Sequence, residues 1–469
     1  MNTFLQGGKR FIESKYCILV LSFVAILAFL TDVSYIALYT ACLTVIAVVL
    51  FKADLRCILG IFLLGLASHR NVDTSFNAGM LIFIIFVLLM IGAIIYYIVV
   101  NHKIVWTKIK KDYVLWSLVL ISLSMCLSLI NTPAMGDSLL GLGYFVGMVV
   151  AYFIARIMIE RTEEVKEYIA YSFVIVGIIL ALEVFGAMMF NYINDLDAME
   201  IIKVKALSIG MFNQNHIMAA INTCFIMSIY YFIINKKIIA RILFLINAFL
   251  FLATNLMLAC RGGMVGLLVC VPLVIVSYII YYKKNPGSGL KKDLPYLIAG
   301  AVGIVAVVLT LVFTGYVKNA FDRFNDTEAI FAKRDEVFKI GWEQFLAHPI
   351  IGSGVYSSHY YLIDIDRVNR IWHYHNHMLQ MLGTCGIIGG ISFTLYLVFS
   401  IKRTLNCNLY SMIAFVLTIY FIVHGALDTL YFNKLLMTLL LIVIAIINDK
   451  EKNKEEKIES VEEIAESID

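Results

Sequence analysis

Apolar runs of roughly 15 to 24 residues, the length that crosses the hydrocarbon of a bilayer, recur about fourteen times along the chain. They fall near 16–30, 34–51, 55–68, 77–100, 113–130, 139–159, 168–190, 216–234, 239–260, 263–282, 296–317, 377–400, 408–427 and 431–447. Each run is continuously apolar. That predicts helices and excludes a β-barrel, whose strands alternate apolar and polar positions. The expected fold is therefore all-α, a polytopic transmembrane helical bundle of about 12–14 spans over residues 1–447. The run at 55–68 is short enough to be a re-entrant segment instead. The first run follows Lys9, Arg10 and Lys15 without a small-residue cleavage site, so it reads as a retained helix.

Two polar segments interrupt this pattern, at about 191–215 and 318–374. The second is expected to form an extracytoplasmic loop subdomain with short helices, one of them amphipathic over 334–347 with Val337, Ile340, Phe345 and Leu346 apolar. Residues 448–469 are rich in Glu and Lys and read as a charged cytoplasmic tail. Lys and Arg collect in alternate loops, among them those with Lys103, Arg156, Lys236, Lys283 and Lys402, while the loops at 68–77, 131–138 and 425–433 are nearly free of them. By the positive-inside rule both termini are cytoplasmic, the span number is even, and the chain sits in the cell (cytoplasmic) membrane.

Composition agrees, with 61% hydrophobic residues, 15% charged residues and five prolines excluding an ordinary soluble domain. The nine cysteines are scattered without CxxC spacing and read as small core residues. The net charge of +4 is modest, and no nucleic-acid partner is expected.

Topology places the chemically interesting side chains on the extracytoplasmic face. Arg261 stands in ACRGG at an outer turn, Arg334 in the long outer loop, and His373, His375 and His377 at the start of the run IWHYHNHMLQMLGTCGIIGG, 371–390. An arginine at the hydrocarbon edge is costly unless it snorkels or meets an anion, so Arg261 is either a lipid-headgroup anchor or an anion site. Gly262 and Gly263 would let a phosphate approach the backbone at a helix N-terminus. Asn376 is a plausible N-cap, and the alternating histidines could serve as a base, a metal site or a structural cluster. No acidic or cysteine ligand lies at metal-binding spacing, so no metal and no other cofactor is expected. Asn215 and His216 are either cap residues or sugar hydrogen-bond partners. His424 and Asp428, one helical turn apart, are expected to pair with each other. Asp322, Asp326, Asp335, Asp364 and Asp366 could also supply a carboxylate. Gly383, Gly386 and Gly389 form a stripe expected to permit close helix packing.

Taken together, these motifs resemble a known family. His375-Asn376, nine further residues and Gly386-Ile387-Ile388-Gly389 resemble the signature of the O-antigen ligase and O-antigen polymerase superfamily of bacterial membrane glycosyltransferases. RDEVFKIGWEQFLAHPIIGSG at 334–354 resembles its arginine-led helix and turn, with Pro349, Gly352 and Gly354 in place. Residues 260–263, CRGG, resemble its SRG motif with cysteine for serine, and GMFNQNH matches its segment at Gly210 and Phe212. The resemblance covers about 205–430.

It implies a lipid-to-acceptor glycosyltransferase fold, a donor glycan on undecaprenyl diphosphate, and a glycan or lipid-linked acceptor. Arg261 and Arg334 would hold the diphosphate and His375 would act on the acceptor hydroxyl, with Asn376, Asn215, His216, His373 and His377 as substrate-binding candidates. Attack opposite the leaving diphosphate would invert the anomeric centre without a metal, because arginine forks bind phosphate bidentately. The Lys- and Ile-rich composition points to a low-GC genome and favours a capsule, exopolysaccharide or O-antigen repeat-unit polymerase. The alternatives are ligase-type transfer to lipid A core, wall polymer or protein, and, in another class, a polysaccharide transporter or flippase. Other polysaccharide-export proteins are candidate partners. A transporter would place its charges at the bilayer midplane, whereas here they gather at the outer interface.

Overall fold

The computed structural model describes residues 2–31, 102–159, 161–193, 214–258, 260–285, 327–363, 373–406 and 408–447, with isolated positions between them. Every regular element among them is helical. They are α1 (Asn2–Ile12), α2 (Lys15–Thr31), α3 (His102–Ile109), α4 (Tyr113–Ser128), α5 (Met135–Met158), α6 (Glu163–Ile193) and α7 (Gln214–Ile234). Then follow α8 (Ile238–Leu258), α9 (Arg261–Lys284), α10 (Thr327–Ala347), α11 (Ser358–Leu362), α12 (His377–Thr404), α13 (Leu409–Gly425) and α14 (Lys434–Ala445).

Seven helices among the described residues are long and apolar enough to cross a membrane, namely α5 to α9, α12, and α4 with the turn that follows it. The chain is an all-α polytopic membrane protein. The windows expected at 34–51, 55–68, 77–100 and 296–317 lie wholly or largely outside the described residues, as does the tail.

Helix α14 has only 12 residues, about 18 Å at the α-helical rise and too short to span about 30 Å of hydrocarbon alone. It is nevertheless buried throughout 436–445. It lies antiparallel to α13, with the Tyr410 hydroxyl donating to the Val443 carbonyl at 3.3 Å, so the turn 426–433 sits at one end of the bundle. That end also receives the N-termini of α7, α9 and α12, since Asn215 meets Asp428, Gly262 packs against His424, and Asn376 donates to the Ala426 carbonyl.

The opposite end is closed by buried charge. Asp112 caps α4 by accepting from the Leu115 N–H at 3.1 Å. Its carboxylate pairs with Arg156 of α5 at 2.6 Å and Arg403 of α12 at 2.9 Å, and accepts from the Tyr152 hydroxyl at 3.0 Å. Burial alone would raise the Asp112 pKa, but the Arg403 and Arg156 charges hold it below the usual carboxylate value. Arg156 further donates to the Ala445 and Ile447 carbonyls, which ties α14 to the same knot.

Helix α12 is broken, and the break positions the site. Gly386 adopts φ +65°, ψ −164° in the middle of it. The segment Pro349–Gly354, which follows α10, docks there. The Ile387 N–H donates to the Pro349 carbonyl at 2.8 Å, and the Ser353 and Gly354 N–H groups donate to the Gly383 and Thr384 carbonyls at 3.1 and 3.0 Å. Backbone groups freed by the kink are thus satisfied by the inserted loop, as they must be in a water-poor bundle. The glycines are present for this approach. A Cβ on Gly352 would lie 2.3 Å from the Cys385 nitrogen, and one on Gly386 would lie 2.3 Å from the Ile350 carbonyl oxygen. The expected smooth packing stripe is therefore corrected: Gly386 is a backbone break that receives a loop, and Gly383 faces Tyr374 and the Gly341 carbonyl.

Docking also lays α10 along α12. Val337, Leu362 and Tyr374 bury one another, with Ile340 and Leu379 against them. Leu346, expected on the apolar face, is 60% exposed.

Candidate functional site

The site is assembled at the bundle end that carries the turn after α13. His375 precedes α12 in the left-handed region, φ +53°, a conformation uncommon for a residue with a side chain. Its Nδ1 lies 3.4 Å from Oδ1 of Asp428, with the imidazole 32% exposed and the carboxylate 4% exposed. Asp428 is held from two further sides. Asn215 Nδ2, at the start of α7, donates to Oδ2 at 2.6 Å, and the Thr429 N–H donates to Oδ1 at 2.7 Å. Burial would raise the Asp428 pKa, yet the hydrogen bond with His375, the nearby imidazoles and the Thr429 N–H hold it well below the ordinary carboxylate value. Asp428 is thus a fixed anion beneath His375.

Asn376 plays the expected capping part. Its Oδ1 accepts from the Leu379 N–H at 2.9 Å, and its Nδ2 donates to the Ala426 carbonyl at 3.0 Å. It thereby ties the start of α12 to the turn that carries Asp428. His216 Nδ1 lies 3.1 Å from Nδ2 of Asn433, the residue that caps α14.

The three alternating histidines diverge. His373 stacks edge-on to Tyr356 with ring centres 5.6 Å apart and tilts against Phe432 at 6.2 Å. Its Nδ1 is buried without a hydrogen bond. Burial first, and then the neighbouring His216, push its pKa down to about 3, so this ring is neutral at physiological pH. His377 turns inward between Phe393 and Tyr431, each 5.3 Å away, and a Cβ on Gly425 would meet its Nδ1 at 2.4 Å. It is packed into the bundle and does not join His375. Phenylalanine at 377 is accordingly expected to keep activity within about threefold of the unmutated protein, because ring packing is what the position requires. A loss as deep as that of His375→Ala, measured in one transfer assay, would refute that placement.

The expected pairing of His424 with Asp428 is also corrected. Helix α13 ends at Gly425, so Asp428 leaves the helical register. His424 instead lies 2.9 Å from the Tyr420 hydroxyl, which accepts from Asn222 Nδ2 at 2.9 Å, and 3.8 Å from Cys260 Sγ. Cys260 is the N-cap of α9 and Arg261 its first residue. A Cβ on Gly262 would come within 2.8 Å of the His424 ring and 3.4 Å of Leu427 Cβ. Arg261, half-buried, therefore starts its helix against the turn that leads into Asp428. Arg334 is half-buried on α10, one turn before Val337, which packs with Tyr374 beside the histidine segment. No side-chain partner of Arg334 is found among the described residues. Gly210 and Phe212 lie outside the described residues, as do Asp322, Asp326, Asp364 and Asp366.

The start of α9, with Arg261 as its first residue, and the His375–Asp428 pair stand at one bundle end, a set suited to an anionic, hydroxyl-bearing ligand pair. Comparison with known proteins bears on this arrangement. Residues 242–394 match the family model described as O-antigen ligase. Over this region, about a third of its length, the chain is similar to the O-antigen ligase family. A search of curated proteins found no match. The O-antigen ligase region runs from α8 into α12 and contains Arg261, Arg334, His373, His375, Asn376 and His377. Asn215, His216 and Asp428 lie outside it, and only the folded arrangement brings the first and last of these to His375. Asp428 is the site residue that sequence spacing misassigned; its signal was the run GALDTLYFN, a polar turn closing an apolar helix. Asn433, the partner of His216, stands in the same run.

Proposed function

We propose that this protein, similar over residues 242–394 to O-antigen ligases, moves a glycan from undecaprenyl diphosphate to an acceptor hydroxyl at the outer face of the cytoplasmic membrane. The observation that carries the reading is the His375–Asp428 contact, 3.4 Å long, at the same bundle end as the Arg261 helix start. With Asp428 accepting from Nδ1–H, the lone pair of His375 rests on Nε2, the atom left to face a substrate. There it takes the proton of the acceptor hydroxyl as that oxygen attacks the anomeric carbon. The bond from that carbon to the diphosphate oxygen breaks, and the electron pair leaves with the diphosphate. Arg261 and Arg334 neutralise the departing charge, and Asp428 stabilises the imidazolium that forms. Attack opposite the leaving group inverts the anomeric centre, and the two guanidinium groups take the place of a metal.

The basic end bearing Arg156, Lys236, Lys283 and Arg403 is read as cytoplasmic, which puts the site on the extracytoplasmic side. The acceptor is read as a second lipid-linked repeat unit, which makes the chain a polymerase. Purified protein in nanodiscs, given a lipid-linked oligosaccharide with EDTA, is expected to yield a ladder of inverted products. Arg261→Ala and Arg334→Ala are each expected to lower the rate by about 10²-fold or more. A single transfer to an added acceptor, with no ladder, would make the enzyme a ligase; loss of product in EDTA would overturn the metal-free step.

A further inference from the structure

A second feature stands at the same bundle end, around Tyr356, which meets both His373 and Phe432. Tyr356 is in the left-handed region at φ +58°, a strained conformation for a tyrosine. It is held there by three contacts. Its hydroxyl donates to the Phe432 carbonyl at 2.7 Å, its carbonyl lies 3.0 Å from His359 Nδ1, and α5 makes room for the ring at Gly141, where a Cβ would lie 2.3 Å from Tyr356 Cδ2. One turn along α5, Tyr144 meets Tyr356 edge to face with centres 6.5 Å apart. On its other side Tyr356 meets His373, in the segment that carries His375. The Tyr144, Tyr356 and His373 rings therefore form a partly exposed run leading to the reacting imidazole.

At the far end of this run stands Lys434. Its Nζ lies 4.1 Å from the centre of the Tyr144 ring, and it is half-buried. It is the first residue of α14, where the positive end of the helix disfavours a cation. No carboxylate pairs with it among the described residues; Asp137 of the same region is taken by His359 at 3.2 Å. Asn433, immediately before it, joins this corner to His216. Among the described residues the charge of Lys434 is thus left without an acidic partner, at the head of an aromatic run.

We propose that Tyr144, Tyr356, His373 and Lys434 form the acceptor subsite, taking an oligosaccharide whose rings stack on the aromatic faces and whose anionic group meets Lys434. Aromatic rings present flat apolar faces to sugar C–H groups, and the anionic group of the ligand supplies Lys434 with the counter-charge that no described carboxylate provides. This subsite rests on the glycosyl-transfer reading. It places the acceptor on the α5 and α14 side of His375 and the donor diphosphate on the α9 and α10 side.

The test is donor-free binding, measured calorimetrically with full-length protein in nanodiscs. The probes are an oligosaccharide containing one hexuronate, its carboxyl-reduced neutral counterpart, and farnesyl diphosphate. The hexuronate oligosaccharide is expected to bind about tenfold tighter than the neutral one, and Lys434→Gln to remove that difference while Lys434→Arg keeps it. Tyr144→Ala should weaken both oligosaccharides, and Tyr144→Phe neither. Competition by farnesyl diphosphate that Lys434→Gln abolishes would identify the anion as the acceptor's own lipid diphosphate; its absence would assign the anion to the sugar. Folding is followed by thermal unfolding of each variant. Equal affinity of the hexuronate and neutral oligosaccharides with no competition by farnesyl diphosphate, or binding of all probes unchanged in folded Lys434→Gln and Tyr144→Ala, would overturn the subsite. Binding without any transfer in the full assay would instead sink the glycosyl-transfer reading alone.

Discussion

Asp428→Asn is expected to lower the transfer rate by about 10²- to 10⁴-fold while the protein still folds. The substitution keeps the shape of a side chain that is almost wholly buried, and its one remaining oxygen can still accept at one of the two present oxygen positions. It cannot serve all three present donors. Asn215 Nδ2 and the Thr429 N–H approach different oxygens of the carboxylate, and His375 Nδ1 shares the second. With an amide there, an NH₂ group must face either Asn215 or His375. The first loses the anchor that fixes the turn; the second favours the imidazole tautomer with its proton on Nε2, where the lone pair is needed. Neither stabilises an imidazolium. The check is a transfer assay at saturating donor, with thermal unfolding as a control for folding. A rate within threefold of the unmutated protein would remove Asp428 from the site.

The second large effect is on the fold itself. Alanine at Gly386 is expected to cost about 4 kcal/mol or more, enough to abolish a folded, monodisperse product in detergent. Two costs coincide. The residue sits at φ +65° and ψ −164°, a region open essentially to glycine, and its new methyl would lie 2.3 Å from a backbone oxygen and 2.4 Å from the carbonyl carbon of Ile350. Backbone cannot swing away as a side chain could, so the 349–354 loop would have to undock. With it would go α10, Arg334 and the Tyr356 ring. Gly147 of α5 has open space where a Cβ would go, so Gly147→Ala serves as a control expected to leave expression and unfolding temperature nearly unchanged. Wild-type yield and unfolding temperature for Gly386→Ala would show that the loop does not need the break.

Periodicity carried the spans because a continuous apolar run admits few structures in a bilayer, and α4 to α9 lie where it predicted. It failed where the helix itself fails. His424 and Asp428 have helical spacing, but α13 ends at Gly425, and three residues beyond the end the spacing has no meaning. The glycines at 383, 386 and 389 read as a packing stripe for the same reason: a stripe presumes an unbroken helix, and the partner that breaks this one is a loop almost forty residues upstream whose approach is written in backbone geometry. The histidines alternate in sequence, yet the left-handed turn at His375 sends the three rings to three different places. What sequence did carry was the set of motifs. Asn376 caps the helix it was expected to cap, whereas Asn215, expected as a cap residue or a sugar partner, donates instead to Asp428. Chemistry was legible as a list of residues; which carboxylate serves the imidazole depends on a turn that only the fold brings round.

The most direct test of that pairing is a single-turnover reaction in nanodiscs, with a radiolabelled lipid-linked oligosaccharide as donor, following release of the lipid diphosphate together with appearance of extended glycan. The unmutated protein should release one lipid diphosphate per glycan transferred, and His375→Ala should slow both together while donor binding stays intact. Transfer by His375→Ala at the unmutated rate would contradict the central role assigned to the His375–Asp428 pair.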